Sequence, residues 1–114
     1  MIFTIYHNPR CSKSRQALAI LNDNNTEVEI KEYLKETPTE EELKLLLNKL
    51  HLKPVDIVRK DEKIFKEKFK GMELNDWEWI KILIENPILI QRPIIIKGNK
   101  AIIGRPPELV KELL

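Results

Sequence analysis

IFTIYHNPRCSKSRQALAILNDNNTEVEIKEY, residues 2–33, is the stretch whose reading decides the fold. IFTIY at 2–6 is short, β-branched and aromatic, and EVEIKEY at 27–33 alternates apolar with charged side chains. Both patterns predict strands. Between them Asn8 and Pro9 offer a helix N-cap and a first-turn proline. Ser14, Ala17, Leu18 and Leu21 then fall on one helical face until NDNN ends the run. Strand, helix and strand in this order predict a right-handed βαβ unit with parallel strands.

Further along, Thr39 followed by Glu42 is a capping box, and Leu43, Leu46, Leu47 and Leu50 recur at the spacing of an amphipathic helix. Pro54 opens a short helix reaching Val58, and Asn75 with Glu78 caps another that runs through Trp77, Ile80 and Ile84 to Asn86-Pro87. Residues of about 37–86 are therefore expected to form a helical insertion. Beyond it, PIIIK and KAIIG flank Gly98-Asn99, a pair suited to a two-residue hairpin turn. Pro106 and Pro107 open a last helix expected to bury Leu109, Val110 and Leu113. The order βαβ, helical insertion, ββα predicts an α/β fold, a mixed sheet with helices on both faces. At 114 residues, 1–114 is expected to be a single domain.

Composition narrows the function classes. With 20 Lys and Arg against 18 Asp and Glu, the net charge is +2 and the signs are interspersed. That balance lacks the basic footprint of a general nucleic-acid binder, so a small anion is the better-sized partner. IKILIENPILIQRPIII, the most apolar stretch, is broken by Glu85, Pro87, Arg92 and Pro93, which rules it out as a membrane span. The start shows no secretory pattern. A single cysteine makes no internal disulfide, so a reducing, cytoplasmic compartment is expected. A monomer is expected as well.

That cysteine, Cys11, sits where β-strand one runs into the first helix. In open α/β sheets chemistry gathers beyond the carboxyl ends of parallel strands, which is this loop. A thiol at its ordinary pKa is only a few per cent thiolate at neutral pH. Lowering the pKa by about 2 units takes about 2.7 kcal/mol of preference for the anion, whereas a helix N-terminus supplies roughly 0.3 to 2 kcal/mol. Cations and hydrogen-bond donors must add the rest; His7, Arg10, Lys13, Ser14 and Arg15 are the local candidates. Ser14, one helical turn after Cys11, is placed either to donate its hydroxyl to the sulfur or to cap the helix. His7 reads equally as a proton carrier or a hydrogen-bonding strand-end residue. His51 reads as surface.

Three arginines stand apart, Arg59 in IVRKD, Arg92 in IQRPI and Arg105 in IGRPPE. Two of them end apolar segments and precede proline, which keeps the backbone extended. A planar guanidinium fork on a strand end suits a tetrahedral oxyanion. A phosphatase loop is excluded, because it requires arginine six residues after the cysteine and that residue is Ala17.

Taken together, HNPRCSKSR, VRK, ILIQRPI and IIGRPPELV resemble the glutaredoxin-coupled arsenate reductase family, the ArsC family, over essentially the whole chain. The resemblance implies a thioredoxin-like fold with an inserted helical region. It implies Cys11 as nucleophile, His7 and Ser14 as its thiolate-stabilising partners, and Arg59, Arg92 and Arg105 as the oxyanion site. Asn8 and Pro93 would be structural residues beside that site, Pro93 as a cis-proline facing the cysteine. It further implies arsenate as substrate, glutathione as thiol co-substrate and glutaredoxin as partner, with no bound cofactor and no metal. Longer members carry a tail beyond the last helix. Two other readings stay open: a monothiol glutathione-linked reductase of another substrate, and a non-catalytic Spx-like regulator that binds RNA polymerase. Such regulators often carry Cys-x-x-Cys, and here the second position is Ser14.

Overall fold

The computed structural model describes residues 2–114. Contacts divide the chain into two compact units, one of residues 2–36 with Arg92–Leu114, the other of Thr37–Gln91.

In the first unit, β1 (Ile2–Tyr6), α1 (Ser12–Asp23) and β2 (Glu27–Lys31) form the βαβ unit, with β1 and β2 parallel and Ile5 beside Ile30. β3 (Ile94–Lys97) and β4 (Lys100–Ile103) form the hairpin. β3 runs antiparallel to both β1 and β4, so the sheet is mixed, in the order β2-β1-β3-β4. Gly98 takes φ +62° in the two-residue turn, a region open to glycine at no steric cost. A 3-10 helix (Pro107–Leu113) closes the chain.

Phe3 and Ile5 on β1, Ile95 on β3, Ala17 and Leu21 on α1, and Val110 and Leu113 on the terminal 3-10 helix make one buried core. Each such large apolar side chain contributes about 1.5 to 3 kcal/mol when fully buried. Both helical elements of this unit therefore lie on one face of its sheet. Leu109 is only partly buried, unlike Val110 and Leu113.

The second unit is helical. α2 (Glu40–Leu50) opens on the expected box, Thr39 Oγ1 accepting from Glu42 N–H and Glu42 Oε1 from Thr39 N–H, both at 3.1 Å. A 3-10 turn (Pro54–Ile57), α3 (Lys63–Lys68) and α4 (Asp76–Glu85) follow, α4 opening on the Asn75–Glu78 box. A cap of this kind contributes about 1 kcal/mol. α3 was not legible in the sequence. Leu43, Leu46, Leu47, Ile57, Trp79, Ile80, Leu83 and Leu89 fill this unit's core. Among the described residues, no helix is long and apolar enough to cross a membrane.

Candidate active site

The chain leaves β1 through a tight loop that Asn8 organises. His7 N–H continues the β1–β2 ladder onto Lys31 C=O at 2.8 Å. Asn8 Oδ1 then accepts from Arg10 N–H at 3.0 Å and Asn8 C=O from Cys11 N–H at 3.0 Å. Arg15 ties the loop from the helix side, its guanidinium donating to Pro9 C=O at 2.9 Å. Asn8 thus makes a turn where it was expected to cap the helix. α1 begins four residues later at Ser12, and Cys11 itself occupies the N-cap with extended backbone, φ −93° and ψ 122°.

The placement decides the thiol's chemistry. Residues after an N-cap leave their first amides without intrahelical partners. Burial pushes the Cys11 thiol up, but the Ser14 N–H, the Arg92 guanidinium and the Lys13 N–H oppose it, and together they hold the thiol below its ordinary value. The thiol itself does not close a full cap hydrogen bond; the donors favour the anion. Cys11 is half-buried, so a reagent can reach it.

Ser14 and His7 act on each other. Ser14 is fully buried, its Oγ 2.7 Å from His7 Nδ1 and accepting from Asn8 N–H at 3.0 Å. The serine's amide donates toward the sulfur, while its hydroxyl is engaged with His7 and Asn8. Burial is the main reason that His7 sits below its ordinary pKa; Arg15 adds to this and Glu32 opposes it. Burial thus favours the neutral imidazole of His7. His51 is exposed, as read, and ends α2 with φ +57°.

Arg92 and Arg105 belong to the same unit as Cys11. Besides the guanidinium of Arg92 at the thiol, Arg105 Nη1 donates to Arg92 C=O at 3.1 Å. The Arg92–Pro93 peptide is cis, and so is Arg105–Pro106, which nothing in the sequence announced. Pro93 C=O accepts from Gly104 N–H at 2.8 Å, which lays Gly104 against the proline ring. Arg59 belongs to the helical unit. Its Nη1 donates to Glu62 and its Nη2 lies 3.7 Å from Asp61, with only 12 % of the side chain exposed. Both terminal nitrogens are thus engaged by carboxylates, a feature the sequence reading missed, although Glu62 three residues after Arg59 was there to see.

A half-buried cysteine at the N-terminus of the helix that follows β1, on a mixed sheet of this order, defines a thiol protein of the thioredoxin-like class. The chain belongs to the ArsC family, whose profile matches residues 6–113. It is 40% identical to a protein of Haemophilus influenzae named arsenate reductase, over all of both chains. It is 34% identical to an arsenate reductase of Escherichia coli, covering 97% of this chain and 79% of that one. Among solved structures, an arsenate reductase from Vibrio cholerae superposes with a TM-score of 0.94 at 41% identity, covering 100% of this chain and 98% of that one.

Proposed function

We propose that the chain reduces arsenate to arsenite with Cys11 as nucleophile, glutathione as co-substrate and glutaredoxin as the final thiol donor. The observation that carries this reading is the position of Cys11 at the N-cap, where the amides of Ser14 and Lys13 and the Arg92 guanidinium favour the thiolate and outweigh burial, so that the thiol sits below its ordinary pKa.

The Cys11 thiolate attacks arsenic, an arsenate oxygen leaves as water, and a sulfur–arsenic bond forms. Thiolate and arsenate repel until cations neutralise the oxyanion; Arg92 and Arg105, in the unit of Cys11, are suited to this, and Arg59 is proposed as a third cation for the oxyanion. Glutathione thiolate then attacks the Cys11 sulfur. The electron pair of the sulfur–arsenic bond stays on arsenic, which falls from the +5 to the +3 state and leaves as arsenite, while a Cys11–glutathione disulfide forms. A glutaredoxin thiol attacks the glutathione sulfur and returns Cys11 as thiolate. Two thiols are oxidised for one arsenate reduced. The scheme needs no metal and no bound cofactor, and its thiols suit a reducing cytoplasm.

The test is arsenite release by the purified protein with arsenate, glutathione and glutaredoxin. Turnover that disappears in Cys11→Ser and falls when glutaredoxin is omitted is the expected result. No turnover, with tight binding of an RNA polymerase subunit instead, replaces this reading by the regulator; reduction of other substrates but not arsenate replaces it by a different glutathione-linked reductase.

A further inference from the structure

The helical unit holds a cavity of about 420 Å³ that the thiol chemistry does not use. Its volume lies in the range of small-molecule sites. Phe65, Phe69 and Trp79 are among its lining, with ring centroids 6.2 Å (Phe65–Trp79, stacked) and 6.4 Å (Phe69–Trp79, edge-on) apart. Phe65 and Trp79 are buried, so the aromatic surface is held by the core and needs no ligand to order it. After α3 the chain turns at Gly71, φ +81°, with Lys70 N–H bonded to Phe65 C=O at 3.0 Å. That turn sets Lys70 and Met72 on the cavity lining with the rings.

Charge supplies the second, independent observation. Lys60, Lys66 and Lys70 also line the cavity, and each is exposed. Among the described residues, none of the three has a carboxylate partner, whereas Lys63 on the same short helix is paired with Glu67 at 3.7 Å. Three ammonium groups that line one cavity and have no carboxylate partner make it favourable ground for an anion. A neutral apolar ligand uses the rings alone, and an inorganic anion uses the lysines alone.

We propose that this cavity binds a small organic anion with a flat aromatic body, its ring against Phe65, Phe69 and Trp79 and its carboxylate or sulfonate among Lys60, Lys66 and Lys70. The full-length protein, labelled with nitrogen-15, is titrated with indole-3-acetate and, separately, with its neutral isostere indole-3-acetamide. Saturable shifts confined to the amides of 60–72 and the Trp79 indole are expected, with a Kd for the acetate at or below about 1 mM. The acetamide should bind roughly tenfold more weakly. The double variant Lys66→Gln/Lys70→Gln, both side chains at the surface, should lose most of that preference while leaving acetamide binding unchanged. Phe69→Ala should weaken both ligands. Absence of saturable shifts, equal affinity of the two ligands, or an unaltered preference in the lysine variant overturns the proposal.

Discussion

His7 Nδ1 and Ser14 Oγ lie 2.7 Å apart, and both side chains are buried. Ser14→Ala removes the partner of His7 Nδ1 and of Asn8 N–H in one step. Leaving buried polar groups without partners costs about 1 to 3 kcal/mol. The unfolding free energy should fall by that amount, seen as a lower urea midpoint at unchanged slope. Since the Ser14 amide survives the substitution, Cys11 should keep most of its acidity. A rise in its titration midpoint as large as that of Arg92→Ala would show that the hydroxyl itself bonds the sulfur.

Arg92 and the two helix amides hold the Cys11 thiol down against the opposing effect of burial. Iodoacetamide alkylation followed against pH should therefore have its midpoint below about 8.5, the value of a free thiol. Arg92→Ala should move it upward. Arg92→Lys should recover part of the difference, because it keeps the charge and loses the fork. A wild-type midpoint at the free-thiol value contradicts the activated cysteine.

His7 is held below its ordinary pKa mainly by burial. In acid the unfolded chain therefore takes up a proton before the folded one does. The contribution is complete above about pH 6.5 and is lost as the pH falls from there through the folded value. Thermal stability of the wild type should drop over that window. His7→Gln should lower stability overall and flatten the dependence, which differential scanning calorimetry at a series of pH values reads directly.

Arg59 spends its fork on Glu62 and Asp61. If it serves the oxyanion it must leave them, so Glu62→Gln should lower the arsenate KM by a few-fold. Arg59→Ala, Arg92→Ala and Arg105→Ala should each cut kcat/KM for arsenate by about one to two orders of magnitude, as the loss of a charge-assisted hydrogen bond does. Phosphate should compete without being reduced. An unchanged kcat/KM in Arg59→Ala would make that residue a structural ion-pair partner only.

Gly104 has no room for a side chain: a Cβ there would stand 2.9 Å from Ile95 Cδ1 and 3.0 Å from Pro93 Cγ. Gly104→Ala should lower stability by about 1 to 3 kcal/mol, the usual range for overpacking. The displaced proline adjoins Arg92, so Cys11 alkylation at fixed pH should slow in the same variant. Unchanged stability and alkylation would mean that the Ile95 side chain yields by itself.

The sequence by itself determined the elements whose periodicity is long or whose boundaries carry chemistry. α2 and α4 begin at Thr39 and Asn75 because their side chains and the glutamates three residues on satisfy amides that no helix can satisfy internally. The hairpin turns at Gly98 because few other residues adopt its backbone. The βαβ order likewise leaves only a parallel β1–β2 pair joined by α1. Tertiary structure decided what depends on competition between partners. Asn8 is an equally good N-cap in the sequence, but its carbonyl and amide oxygens are taken up in the loop, and the cap position passes to Cys11. Ser14 has two uses open to a hydroxyl one turn past the cysteine; the fold buries it beside His7 and leaves its amide to the sulfur. α3 buries only Phe65 in six residues, too short a stretch for a period to be read. Arg59 reads beside Arg92 and Arg105 as a third candidate cation, and the fold turns its guanidinium onto Glu62 and Asp61.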